Sequence, residues 1–285
     1  MKKIILTSVF FLCSISIFSK LSIKKDLSSN FEQRINSKNK MVEPEYIILH
    51  YTANCNEASI IQWLKSKTCG VSTHYVIGPT GNITMMVHPK HKAWHAGESF
   101  WSGSEEMNTY SIGIEIINPG SNQPNICPCK DNDASWSEND CFILPGSKSC
   151  WYPFTKAQIE SVIKLCKKLM TEYNIKPKNV IGHSDIAPGR KTDPGPLFPW
   201  SLLAKNDIGI WPKSYKKNSK LNIKQAQKYL QIIGYKINIS GITDIETEKV
   251  LTAFQIHFRP TNIDGKLDQE TFSILKELAR QVKTN

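Results

Sequence analysis

The stretch that most constrains this chain is Gly182-His183-Ser184-Asp185-Ile186-Ala187-Pro188-Gly189-Arg190-Lys191-Thr192-Asp193-Pro194-Gly195. It packs a histidine, a lysine and a metal-competent carboxylate into one Gly/Pro-stiffened loop, directly after the apolar pair Val180-Ile181. A rigid loop leaving a strand can hold ligand atoms to a fraction of an ångström, as a metal site requires. Two ligands do not make a site. A third is available at the end of Tyr46-Ile47-Ile48-Leu49-His50, a short apolar strand closing on a histidine.

A chain of 285 residues has room for one large domain or two unequal ones. Its 36 Lys+Arg against 25 Asp+Glu give a net charge of +11. That balance suits an acidic polymer: nucleic acid, anionic lipid or a carboxylate-bearing wall glycan. No arginine-rich helix or aromatic-basic sheet pattern stands out, which argues against nucleic acid. Scattered lysines also read simply as a solvated surface.

Lys2-Lys3, an apolar run from Ile4 to Phe18 and small or polar residues around Ser19 read as a secretory signal over residues 1–19. The run is short for a membrane span. Lipid modification at Cys13 is disfavoured by the bulky Leu12 before it, and an uncleaved anchor is the alternative. Export to a periplasm or cell envelope is therefore expected. The eight cysteines agree. Cys127, Cys129, Cys141 and Cys150 crowd a polar segment, 118–153, where disulfides suit an oxidising compartment. A four-cysteine zinc knot competes, but Cys127-Pro128-Cys129 is spaced too tightly for it. Cys55 and Cys69 flank a short helix and are a candidate pair. Cys166, on a helix's apolar face, reads as an inert core thiol.

Residues 20–43 are rich in Lys, Ser and Asn and read as a tether. From 44 to 212 strands and helices interleave. Strands are expected at 46–50, 73–77, 83–87, 111–117 and 179–182, and helices at 57–67 and 156–173. The turn Pro79-Thr80-Gly81-Asn82 predicts a hairpin. Thr155 with Gln158 forms a capping box at the start of the longer helix. This alternation predicts an α/β domain with a central mixed sheet. After a basic linker, 213–220, residues 221–285 carry three amphipathic helices near 223–233, 246–258 and 269–281. Two turns, Gly241 to Thr247 and Gly265 to Thr271, repeat Gly-x-x-Asp-x-x-Thr, with Asp as a natural N-cap. They suggest a duplicated small bundle.

His50, His183 and Asp193 make a candidate zinc triad, one ion per chain. Two imidazoles and a carboxylate leave a fourth position open for water, as in a catalytic site. The competing reading is satisfied core or turn histidines. Glu115 sits in the middle of the apolar strand Ser111–Ile117, where a charge is costly unless it meets a cation, metal or water. It is the candidate general base. Lys191, two residues before Asp193, is the candidate for stabilising an oxyanion.

Five segments then fall in a familiar order: Ile48-Leu49-His50-Tyr51-Thr52-Ala53, Ser72-Thr73-His74-Tyr75-Val76-Ile77, Ala93-Trp94-His95-Ala96-Gly97, Ile112-Gly113-Ile114-Glu115-Ile116 and Gly182 to Pro196. Over residues 44–212 the chain resembles the type-2 N-acetylmuramoyl-L-alanine amidases of the AmpD/AmiD branch. The resemblance implies the zinc amidase fold, with zinc on His50, His183 and Asp193, a proton acceptor at Glu115 and a transition-state stabiliser at Lys191. The last three helices resemble a peptidoglycan-binding module through Phe254-Gln255 and the repeated turns. The cysteine-bearing segment after Glu115 departs from the simplest family pattern.

His74, Trp94 and His95 are candidate substrate-cleft residues, with structural roles as the alternative. His88, His91 and His257 have no identifiable partner. The expected function is hydrolysis of the amide between N-acetylmuramic acid and L-alanine in peptidoglycan or muropeptides. No nucleic acid, stable membrane span or obligate protein partner is expected. The alternatives are a non-catalytic peptidoglycan-recognition protein on the same fold, and a zinc carboxypeptidase acting within the stem peptide.

Overall fold

The computed structural model describes residues 21–122, 136–137, 140–147, 149–215 and 220–284. The signal at 1–19, Cys127, Cys129 and linker residues 216–219 lie outside the described residues. Strands run in chain order as β1 (Lys24–Lys25), β2 (Glu32–Gln33), β3 (Tyr46–Tyr51), β4 (Tyr75–Ile77), β5 (Ile83–Met85), β6 (His91–Lys92) and β7 (Ser111–Ile116). After them come β8 (Ser121–Asn122), β9 (Phe142–Ile143), β10 (Cys150–Trp151) and β11 (Val180–Gly182). The main sheet has the order β1-β5-β4-β7-β3-β11, with only β4 and β5 antiparallel, so it is mixed as the alternation predicts.

The pleat decides which residues meet the chemistry. Successive side chains on a strand point to opposite faces. Ile47 and Leu49 on β3, with Ile112, Ile114 and Ile116 on β7, join one buried core. The other face carries Tyr46, Ile48 and His50 opposite Ser111, Gly113 and Glu115. A one-residue slip of either strand would turn its His50 or Glu115 toward the hydrocarbon core, which disfavours that register.

The helices are α1 (Glu57–Lys65), α2 (Met107–Tyr110), α3 (Lys156–Tyr173), α4 (His183–Ile186) and α5 (Trp200–Ala204), then α6 (Ile223–Ile233), α7 (Ile245–Phe258) and α8 (Gln269–Thr284). α3 covers the core face with Ile159, Val162, Leu165, Cys166 and Leu169. Its capping box is formed by Thr155 and Gln158. Truncating a core side chain such as Leu165 to alanine costs about 2–5 kcal/mol in sites of this kind.

The segment 21–43 differs from the tether its composition suggests. β1 pairs with β5 and β2 with β6. Arg34 is fully buried and donates to the carbonyls of Pro89 at 3.0 Å, His91 at 2.7 Å and Ser111 at 3.0 Å. Backbone pairing needs no apolar side chains, and one guanidinium carries five donors. Both anchors are therefore invisible to hydropathy.

The cysteines also part from expectation. Cys141 and Cys150 are disulfide-bonded, which excludes a four-cysteine zinc knot. Cys55 is disulfide-bonded but Cys69 is a free thiol, so these two do not pair. Cys166 is buried among α3 neighbours, and burial pushes its thiol up to about 12.

In the last three helices, Asp244 caps α7 by accepting from Thr247 N at 2.8 Å, and Asp268 accepts from Thr271 N at 2.7 Å. Each Gly-x-x-Asp-x-x-Thr turn is read by one buried glutamine. Gln227 accepts from Gly241 N and donates to Ile242 O; Gln255 accepts from Gly265 N and donates to Lys266 O. Phe254 is fully buried, so it is core. One apolar cluster runs from Ile48, Ile181 and Ile186 into Leu230, Tyr235, Val250 and Phe254. Asp185 adds a polar bolt across the same contact. It accepts from Tyr235 Oη at 2.6 Å, His257 Nδ1 at 2.7 Å and Gly182 N at 2.8 Å. His257 thus has the partner that the sequence left open.

Candidate metal centre

β3 and β11 are parallel neighbours, with Leu49 opposite Gly182. The next residues along each, His50 and His183, therefore leave the sheet side by side. The loop after α4 folds back, with Ser184 N donating to Asp193 O at 2.8 Å, and returns Asp193 to the same point. His50 Nδ1 lies 2.9 Å from His183 Nδ1 and 2.9 Å from Asp193 Oδ2, and His183 Nδ1 lies 3.0 Å from that oxygen. All three side chains are buried.

The donor set fits a cation. His183 Nε2 lies 3.0 Å from the carbonyl of Ala96. A carbonyl only accepts, so His183 carries a proton on Nε2 and turns its Nδ1 toward Asp193. A proton shared between His183 and Asp193 would still leave His50 Nδ1 facing both. Burial, and after it the neighbouring His183, brings His50 down to about 4, so its ring is neutral at pH 7. Burial alone would raise Asp193, but the imidazoles hold it well below the ordinary carboxylate range. Two nitrogens and one carboxylate oxygen at mutual contact are a donor set that could hold a metal ion.

Glu115 stands beside this trio, its Oε1 4.0 Å from His50 Nδ1. Its Oε2 is buried without a hydrogen-bond partner among the described residues. Burial pushes its carboxyl well above the usual range; Asp193 adds to the rise and Lys191 offsets part of it. Lys191 is half-buried and lines the same cleft, about 370 Å³, as Glu115, Asp193, Trp94 and His95. The sequence-predicted ligands, base and cation are thus brought to one place.

The three candidate cleft residues separate. Trp94 is half-buried on the cleft wall. His95 touches the cleft but spends both ring nitrogens on His50 and Ser111, at 3.0 and 3.2 Å. His74 is no cleft residue. It is fully buried, accepts from Gly113 N at 2.9 Å and lies 3.0 Å from both Arg34 Nη2 and His91 O. It occupies the pleat before the strand end, behind His95, with ring centroids 5.6 Å apart. Sequence reading missed Trp63, a half-exposed indole on α1 at the cleft. It also missed Arg190, whose guanidinium donates to Ala96 O at 2.8 Å. A tryptophan breaking the polar face of α1 was the available signal for the first; the second had none.

Residues 40–196 match the family described as N-acetylmuramoyl-L-alanine amidase, and residues 219–275 a putative peptidoglycan binding domain. The chain is 35% identical over 248 residues to the N-acetylmuramoyl-L-alanine amidase AmiD of Escherichia coli (strain K12), covering 81% of each. It is 34% identical over 131 residues to the 1,6-anhydro-N-acetylmuramyl-L-alanine amidase AmpD of Enterobacter cloacae, 46% of this chain and 54% of that one. Among solved structures it resembles the complex of E. coli AmiD with its substrate anhydro-N-acetylmuramic acid-L-Ala-D-gamma-Glu-L-Lys. That match has a TM-score of 0.69 at 30% identity and covers 88% of this chain and 98% of that one.

Proposed function

This chain belongs to the N-acetylmuramoyl-L-alanine amidase family, and from that premise we propose a zinc-dependent enzyme that hydrolyses the amide between N-acetylmuramic acid and L-alanine in peptidoglycan or muropeptides. The observation that carries the reading is the buried trio of His50, His183 and Asp193 with the Glu115 carboxyl 4.0 Å from it. AmiD, in its solved complex, holds a substrate of this class.

His50 Nδ1, His183 Nδ1 and Asp193 Oδ2 would hold the ion. Bound there, zinc supplies a Lewis acid and brings the pKa of water toward about 7. Glu115 takes the proton of the attacking water. Its raised affinity for that proton lets it keep it through the addition step and return it to the departing L-alanine nitrogen. The Lys191 ammonium offsets negative charge on the tetrahedral oxygen. Trp94 and Trp63 give the cleft an apolar wall against which the carbon face of a sugar or peptide packs. The last three helices keep the enzyme on its polymer and raise the local substrate concentration. Export rests on the 1–19 signal pattern; no helix among the described residues is long and apolar enough to cross a membrane.

The test is mass analysis of products from intact sacculi and from soluble anhydro-muropeptides, with and without chelator. Free peptides beginning at L-alanine are expected, lost with chelator and regained with zinc. Release of a carboxy-terminal amino acid instead would overturn the assignment.

A further inference from the structure

His50 is held at both ring nitrogens. Nδ1 belongs to the trio, and Nε2 lies 3.0 Å from His95 Nδ1. His95 Nε2 lies 3.2 Å from Ser111 Oγ, and the Ser111 hydroxyl donates to the main-chain carbonyl of Met107. That last contact gives the chain its direction. A carbonyl has no proton to offer, so the serine hydroxyl proton is committed to it. Ser111 Oγ keeps only lone pairs for His95, which must donate from Nε2. A neutral imidazole has one proton, so His95 Nδ1 can only accept. His50 then donates from Nε2, and its Nδ1 emerges bare.

We propose that His95 is a positioning residue that fixes the tautomer of His50 and so presents Nδ1 to the metal. The proposal rests on the reading of the trio as a metal centre. Its reach extends to the second histidine, because the residue after His95 does the same for His183. The Ala96 carbonyl accepts from His183 Nε2, as His95 Nδ1 accepts from His50 Nε2. Two consecutive residues therefore orient both imidazole ligands, and outer partners of this kind set ligand orientation and basicity.

The surrounding backbone is shaped to hold them. His95 N and Ala96 N both donate to Asn108 Oδ1, at 3.0 and 2.8 Å. On the other side the His95 ring rests against Gly113 of β7. A Cβ there would stand 2.4 Å from His95 Cγ, so any larger residue displaces the ring. Apolar alternation alone does not ask for glycine in the middle of a central strand, where it weakens the strand. The close approach of His95 explains it.

The experiment compares the full chain with His95→Ala, His95→Asn and Ser111→Ala. Two readouts are independent of turnover: the zinc dissociation constant by chelator competition, and the ¹⁵N shifts of the His50 ring in metal-free protein. The wild type should show His50 protonated at Nε2 alone. His95→Ala should give a mixture of tautomers and weaken zinc binding by about 10–100-fold. Asparagine presents an amide oxygen near the place of Nδ1, so His95→Asn should recover most of the affinity. Ser111→Ala removes the anchor with little change of volume and should show a smaller loss with the same change in His50. An unaltered His50 tautomer and zinc constant in Ser111→Ala and in folded His95→Ala would overturn the proposal. A wild type that binds no zinc would instead remove the metal reading on which it stands.

Discussion

Two buried aspartates, one in α4 and one on the loop after it, meet imidazoles in different ways. Asp185 accepts three hydrogen bonds, from Tyr235 Oη, His257 Nδ1 and Gly182 N. Its histidine has nothing else to bond, since His257 Nε2 is buried without a partner among the described residues. Asp193 meets two histidines whose Nε2 atoms face Ala96 O and His95, so that both Nδ1 atoms converge on one carboxylate oxygen. In the first arrangement the carboxylate is closed in by donors. The second brings two ring nitrogens and a carboxylate oxygen to one point, a donor set that could hold a cation. Residue identity is the same in both places: a buried carboxylate beside imidazole. What differs is the hydrogen bonding behind the rings, which ties one group into the fold and leaves the other suited to a metal.

The comparison breaks most visibly at Glu115, which serves only the open site. Glu115→Gln should lower kcat by about 10²–10⁴-fold, the range general acid–base groups supply, while zinc content is unchanged. Steady-state kinetics with metal analysis of the same sample checks it. Asp185→Asn should do the reverse. It should leave zinc bound but cost about 3–5 kcal/mol, the effect of removing one partner from a buried pair, read by denaturant unfolding of the chelated protein.

The pH dependence sharpens the same contrast. Glu115 is raised by burial and by Asp193, so the folded, metal-free protein binds its proton more tightly than the unfolded chain. Stability attached to that proton is present below about pH 4.3, the unfolded value, and is lost as pH rises toward the raised one. Metal-free Glu115→Gln should therefore melt above the metal-free wild type at pH 7, with the gap closing toward pH 4. Thermal scans across that range decide it. The smallest effect is expected at the cleft wall. Trp63→Ala should raise KM several-fold, with kcat and melting temperature little moved, because the indole is half-exposed and outside the core.

How much of this the sequence discloses follows from the kind of force involved. His50 was legible as a histidine closing an apolar strand and Glu115 as a carboxylate inside another, where a charge needs a partner. The Gly/Pro loop identified His183, Lys191 and Asp193 through its spacing. α3 and the two bundle turns were readable from capping residues, which act locally. Long-range polar bonds leave no periodic trace. Arg34, Asp185 and His257 each find partners dozens of residues away, so a stretch reading as a tether became part of the sheet, and a histidine with no visible role became a bolt. His74 misled because a strand histidine beside an apolar run looks like a site. Its ring lies one pleat too far from the strand end, where Gly113 N and Arg34 claim it.

On the proposed function, Asp193, and not Asp185, governs the metal. Zinc bound per chain, measured on purified wild type, Asp193→Asn and Asp185→Asn proteins after equal zinc loading and desalting, addresses it directly. One ion is predicted in the wild type and in Asp185→Asn, and none in Asp193→Asn. Full zinc retained by Asp193→Asn would contradict it.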